Sequence, residues 1–291
     1  MTGTRMTGAQ STGAQSTGAQ LTDARAAGRH VTDPRLTDPP LTDPPPEVLV
    51  VLHDVDDNLN ELAVPLAEAG LRIITWDAGR DPDGAPPLDA LDRFSGIVSL
   101  GAYAGVPDEL KHPWMTHEKR MLEYALQTGM PVLGLCFGSQ LLAAAAGAAF
   151  RPSPVPELGW TSVRLTPEAR SDPVLAPLAR SAEQGDDVEV FHYHFDSHEL
   201  PEGAVLLAET GGIIEAYRIG DAAWGLQFHL EVGLATQLAW IAGGRDVYER
   251  AGVDPTEQER LSHENWRRYR DQAHEVGAAF AKQVRQYAER G

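Results

Sequence analysis

The chain has 291 residues, 42% of them hydrophobic and 23% charged, an ordinary globular balance. Its net charge of −18, from 24 Lys and Arg against 42 Asp and Glu, repels phosphate backbones and argues against nucleic acid as a partner. A single cysteine rules out an internal disulfide, no apolar stretch is long enough to cross a bilayer and the N-terminus lacks a secretory apolar core, which together predict a soluble cytoplasmic protein.

Residues 6–45 divide into eight pentapeptides, from MTGAQ and STGAQ to two copies of LTDPP. Such units bury too little apolar surface to offset ordering entropy, so residues 1–46 are expected to be a disordered repeat tail. The four Arg and four Asp of the tail cancel, leaving the acidic excess on the folded part. Order is expected from Glu47-Val-Leu-Val-Val-Leu52, an apolar run suited to a strand buried on both faces. A helix over Asn58–Gly70 and strands over Leu71–Thr75 and Gly96–Leu100 follow. Next come a helix over His117–Thr128, a strand over Pro131–Leu135 and a helix from Ser139 to Ala146. This alternation predicts an α/β fold with a largely parallel central sheet and helices on both faces.

After Gly159 the pattern changes. Strands over 160–165, 188–193, 204–208, 213–217 and 223–228 are separated by turn residues, which predicts antiparallel additions to the same sheet. Helices over 234–242 and roughly 255–289 close the chain. Residues 47–245 are read as the main domain and 246–291 as a helical extension packed on it. The last helix, rich in Arg, Glu, Gln and Ala, is expected to lie on the surface.

The lone cysteine, Cys136, sits in Gly134-Leu-Cys-Phe-Gly138, between a predicted strand and a predicted helix. That arrangement resembles a nucleophile elbow, in which flanking glycines let neighbouring chain approach and the side chain stands at the carboxyl edge of the sheet. A helix N-terminus there favours an anion, and the Phe137 N–H is placed to donate to an oxyanion. A buried core cysteine is the competing reading of the pentapeptide alone. A cysteine nucleophile needs a base and an orienting acceptor. His229 and Glu231, in Gln227-Phe-His-Leu-Glu231, would share a face of an extended segment and fill both roles.

GLCFGSQLLAAAAG followed about ninety residues later by QFHLE resembles the class I, or triad, glutamine amidotransferases, particularly their free-standing GMP-synthase-like domains. The resemblance also runs through Glu157-Leu-Gly-Trp160, His194-x-Asp196 with Leu200-Pro201, and Ala204–Ala208, and covers roughly residues 47–245. It implies a flavodoxin-like amidotransferase fold and a Cys136–His229–Glu231 triad that cleaves the glutamine side-chain amide through a γ-glutamyl thioester. It further implies an oxyanion hole from the backbone at Phe137 and the Gly101–Ala102 loop. Substrate contacts are implied at Gln140, His194, Phe195 and Asp196, with no cofactor.

Two departures bear on the substrate. The family's Gly-Gly-Pro oxyanion loop is here Gly101-Ala102-Tyr103, and a positive φ at Ala102 would carry a cost that glycine avoids. The His-Gly-Asp of relatives is here His194-Phe195-Asp196, with a ring where the substrate backbone approaches. These changes leave open whether the acyl donor is glutamine or a larger γ-glutamyl compound. His192, His194, Asp196 and His198 also form a pattern capable of ligating zinc, but the family pattern already accounts for His194 and Asp196, so no metal is assigned. No phosphate-binding loop of the G-x-x-x-x-G-K-[ST] type is visible, so a separate synthase or ligase would have to accept the ammonia. Two further readings stay open: a self-sufficient γ-glutamyl hydrolase with water as acceptor, and a silent binding module that keeps the fold.

Overall fold

In the computed structural model, which describes residues 44–182 and 185–290, the sheet begins where the first apolar run predicts it. The repeat tail expected over 1–46 lies, as far as residue 43, outside the described residues. Among those residues the strands are β1 (Glu47–Leu52), β2 (Arg72–Asp77), β3 (Phe94–Ser99), β4 (Val132–Leu135) and β5 (Phe150–Leu165). They continue with β6 (Asp187–His198), β7 (Val205–Thr210), β8 (Ile213–Ile219) and β9 (Ala223–Leu226). All nine join one sheet in the order β2-β1-β3-β4-β9-β8-β7-β5-β6. The β2-β1-β3-β4-β9 half is parallel and the rest antiparallel, as the change in pattern after Gly159 predicts.

β1 shows why its run is apolar on every residue. Val48 and Val50 enter one core cluster while Leu49 and Val51 enter the other, so both faces are buried. The helices are α1 (Ala63–Glu68), α2 (Pro113–Thr128), α3 (Phe137–Ala145), α4 (Ala176–Arg180), α5 (Leu234–Gly243), α6 (Arg245–Arg250) and α7 (Pro255–Ala288). Residues of α2 and α3, including Met115, Leu122, Phe137 and Leu141, build the cluster that contains Leu49. Residues of α7, with Leu62 and Leu66, build the other.

Two expectations about elements need correction. Asn58–Gly70 is not one helix but a 3-10 turn at Asn60–Leu62 followed by α1. Proline at 65 fits the first turn of α1, where its missing N–H is not needed, and would not fit the interior of a longer helix. The closing helix does not simply lie on the surface: Tyr269, Ala273, Val276, Phe280, Ala281 and Val284 of α7 are all at most 1% exposed. Their spacing of three and four is one helical face. Small residues let that face approach closely: a Cβ at Gly277 would lie 2.6 Å from Pro65 Cγ.

Candidate active site

The candidate triad gathers at the carboxyl ends of β3, β4 and β9, where parallel sheets bind ligands. Cys136 follows β4 directly and caps α3 with φ 51° and ψ −107°. Among the described residues only Asn60 shares positive φ with it outside glycine. A non-glycine residue persists in that region only when its surroundings enforce it. The enforcing contacts are visible. Cys136 N–H donates to the Leu226 carbonyl at 2.8 Å, and Gly138 N–H donates to the Leu100 carbonyl at 2.9 Å. A Cβ at Gly134 would lie 2.6 Å from the Gly138 carbonyl oxygen, and one at Gly138 would collide with the Ser99 carbonyl. Both glycines are therefore needed for the turn to close.

β9 ends at Leu226 rather than at the expected Phe228, which leaves His229 in irregular chain beyond it, yet it still meets its partner. Its Nδ1 is 2.7 Å from Glu231 Oε1, and both residues are under 5% exposed. Burial opposes charge on His229, but Glu231 and the Cys136 sulfur, each within its hydrogen-bonding reach, outweigh that and hold its pKa well above the usual histidine value. The backbone is fixed from two sides. His229 N–H donates to the Phe191 carbonyl at 2.9 Å, and the Tyr269 hydroxyl donates to the His229 carbonyl at 2.7 Å. Trp240 stands edge-on to the imidazole, 4.8 Å between centroids.

Gly101 touches this pair. A Cβ there would sit 3.0 Å from His229 Cε1, so any side chain would crowd the imidazole. Ala102 is not among the positive-φ residues, so the strain anticipated for it does not arise. Behind the loop, His53 Nδ1 donates to the Gly101 carbonyl at 2.8 Å, and His53 Nε2 lies 2.9 Å from Glu118 Oε2. The Ser99 hydroxyl donates to the other Glu118 oxygen at 2.7 Å. His53 also stacks on Trp114, 4.9 Å between centroids. Burial disfavours charge on His53, yet Glu118, the Gly101 carbonyl and Asp57 together outweigh it and its pKa is raised. A trans peptide points its C=O and N–H in opposite directions, so fixing the Gly101 carbonyl fixes the Ala102 N–H. Neither His53 nor Glu118 stood out in the sequence.

The expected substrate contacts are not equally accessible. Gln140 Nε2 donates to the Asp196 carbonyl at 3.0 Å and to Gln227 Oε1 at 3.2 Å, tying α3 to β6. Gln227 Nε2 in turn lies 3.8 Å from Cys136 Sγ. Phe195 is 46% exposed, whereas His194 is 3% exposed and faces Glu157 at 3.2 Å. Asp196 is half-buried, and burial raises its carboxyl pKa. The cleft over Cys136 is lined by Asp54, Asp56, Tyr103, Tyr193, His229 and Trp240 together with the Gly101–Ala102 loop. Tyr103 N–H donates to Asp54 at 2.7 Å and its hydroxyl to Asp56 at 2.9 Å.

Residues 104–242 match the model of the class I glutamine amidotransferase family. Over 196 residues the chain is 30% identical to a subunit of the glutamine-hydrolyzing GMP synthase of Methanoregula boonei, an alignment that covers 66% of this chain and 92% of that one. The chain belongs to the class I glutamine amidotransferase family. It is also 29% identical over 199 residues to a gamma-glutamyl-L-1-hydroxyisopropylamide hydrolase of a Pseudomonas species, covering 65% of this chain and 62% of the relative. The crystal structure of a glutamine amidotransferase from Thermotoga maritima superposes with a TM-score of 0.69 at 26% identity, over 81% of this chain and 98% of that one. The chain spans 64%, 25% and 62% of the length of three of the curated relatives it matches. The family's flavodoxin-like α/β fold is the one described above. Among the described residues no helix is long and apolar enough to cross a membrane.

Proposed function

We propose that the protein hydrolyses the side-chain amide of glutamine through Cys136 and passes the ammonia to a separate synthase or ligase. The observation that carries this reading is the juxtaposition of a strained cysteine elbow with a histidine held 2.7 Å from a buried glutamate. In the proposed reaction His229 takes the thiol proton, and sulfur attacks the amide carbon. The carbonyl electrons move onto oxygen, which accepts hydrogen bonds from the Phe137 N–H and the Gly101–Ala102 loop. Phe137 is the first residue of α3, so its N–H has no acceptor within the helix. The tetrahedral species collapses to the thioester as His229 returns its proton to departing ammonia. Water then attacks the thioester carbon, giving up a proton to His229, and glutamate leaves as the thiol is restored. Glu231 orients His229 through Nδ1 and stabilises the imidazolium.

A second reading, a stand-alone hydrolase of larger γ-glutamyl amides, is favoured by the cleft itself. Tyr103, Tyr193 and Trp240 line it and offer aromatic surface to a leaving group bulkier than ammonia. Similarity to the Pseudomonas hydrolase points the same way. Steady-state release of ammonia and of substituted amines separates the two. Glutamine hydrolysis that rises only when an acceptor synthase is added supports the first. Partner-independent cleavage of substituted γ-glutamyl amides in preference to glutamine supports the second.

A further inference from the structure

Along β6 alternate residues face opposite ways. Tyr193 lines the cleft over Cys136, so His192 and His194 point to its back. The sequence pattern His192, His194, Asp196, His198 does not assemble there. His198 Nδ1 is turned to the Glu199 carbonyl at 2.9 Å and its ring packs edge-on to Tyr217. Asp196 is turned toward Gly105, where a Cβ would lie 3.2 Å from its Oδ2. Glu157 from β5 and Glu215 from β8 take their places. One ligating atom from each of Glu157, His192, His194 and Glu215 lies within 4.8 Å of every other, and all four residues are at most 6% exposed.

The hydrogen bonding of this group is incomplete. Among the described residues, no partner meets hydrogen-bond geometry at either carboxyl oxygen of Glu215 or at Oε2 of Glu157, and the groups nearest Glu215 are Glu157 and Thr210. His194 Nδ1 lies 3.1 Å from the Asp196 carbonyl, which only accepts, so that nitrogen carries the hydrogen. In the neutral ring Nε2 is then a bare lone pair, facing His192 Nδ1 at 3.2 Å and Glu157 Oε2 at 3.2 Å. His192 Nδ1 is in turn 3.9 Å from Glu215 Oε2. Two carboxyl groups and the His194 lone pair turned toward one another in a buried space call for protons or a cation between them. Bonds of about 2.0–2.1 Å to a tetrahedral ion place neighbouring ligand atoms about 3.3–3.4 Å apart; the two separations at His194 Nε2 match this at 3.2 Å, and Glu215, at 3.9 Å from His192 Nδ1, closes in when the ion binds. His194 donates its second ring N–H to a backbone carbonyl, as oriented metal-bound histidines do, while among the described residues Nε2 of His192 has no such acceptor. Two imidazoles with two carboxylates suit zinc better than magnesium or calcium, which prefer all-oxygen shells.

We propose that Glu157, His192, His194 and Glu215 form a site for one divalent transition-metal ion of the zinc type. The ion clamps β6 to β5 and β8 behind the cleft. Its consequence for the candidate site is positional. β6 supplies the Phe191 carbonyl that holds His229 N–H at 2.9 Å and the Tyr193 carbonyl 3.9 Å from Cys136 Sγ. The site is structural and takes no part in bond making.

The test counts zinc in full-length protein produced with zinc and desalted, in a Cys136→Ser background so that metal on the thiol does not register. The expected result is about one zinc per chain, lost in Cys136→Ser/Glu215→Gln and in Cys136→Ser/Glu157→Gln, with a melting temperature lowered by chelator in the parent alone. X-ray absorption at the zinc edge is expected to show two imidazoles and oxygen donors at about 2.0–2.1 Å. If both glutamine variants fail to fold, the absorption spectrum of the parent decides alone. Folded parent without stoichiometric zinc overturns the proposal and leaves protons to fill the cluster. Zinc retained in folded glutamine variants, or a zinc shell without two imidazoles, overturns the ligand assignment.

Discussion

His53 donates its Nδ1–H to the Gly101 carbonyl at 2.8 Å while its other nitrogen rests 2.9 Å from Glu118, making a buried ion pair the back wall of the loop that faces Cys136. The pair touches neither the nucleophile nor His229. Its effect on chemistry passes through the Gly101–Ala102 peptide. Replacing His53 by Gln removes the charge that holds that peptide, and the expected loss falls on kcat rather than KM. Loss of a whole oxyanion donor costs about 100- to 1000-fold in kcat, so a loosened one is expected to cost roughly 10- to 100-fold. Steady-state kinetics checks this, and an effect confined to KM would count against the positioning role.

The same pair sets a pH dependence whose sign is fixed. His53 has its folded-state pKa raised above 6.5 by Glu118, against the burial that opposes charge. Its stabilising contribution is therefore complete below the unfolded pKa and is lost as pH rises through the folded value. The neutral reference is His53→Gln/Glu118→Gln. Thermal melts from about pH 6 upward are expected to show the wild-type advantage over that double variant shrinking with rising pH.

Gly101→Ala tests the proximity of loop and imidazole. The added Cβ would lie 3.0 Å from His229 Cε1, so the ring must shift. Misplacement of a reacting group by about 1 Å can cost on the order of 100-fold in rate, so a shift of a few tenths of an ångström is expected to cost roughly 3- to 10-fold in kcat with little change in melting temperature. Ala102→Gly makes the contrast. Because Ala102 is not at positive φ, that change is expected to leave kcat within about twofold, beyond a small entropic cost to stability.

Tyr269→Phe tests the contribution of the closing helix. The hydroxyl donates to His229 O at 2.7 Å and accepts from Phe191 N–H at 3.2 Å. Its removal leaves two buried backbone groups without that partner, which predicts a loss of about 1–3 kcal/mol in chemical denaturation together with a reduced kcat.

The parts of the candidate site that were legible in the sequence are local. Gly134, Cys136 and Gly138 lie within five residues, and His229 and Glu231 within three, so short motifs carry them. The parts that were not legible depend on long-range packing. His53 and Glu118 are 65 positions apart, and Tyr269 is 40 from the backbone it holds. Glu157 and Glu215 join His192 and His194 only because β5 and β8 both approach β6 in space, whereas a linear reading paired the histidines with their sequence neighbours. The apolar face of α7 was obscured because much of it is Ala and Gly, whose close packing adds little hydrophobic bulk to the sequence pattern. His194, read from the sequence as a substrate contact, is 3% exposed and faces Glu157.

The central claim is that Cys136 forms a γ-glutamyl thioester. Intact-mass spectrometry of protein quenched during turnover of glutamine or of a γ-glutamyl amide tests it most directly, with Cys136→Ser run beside the wild type. The account predicts a glutamyl adduct on the Cys136 peptide of the wild type, and neither adduct nor hydrolysis in a Cys136→Ser protein with unchanged circular dichroism. Hydrolysis retained by Cys136→Ser would contradict it.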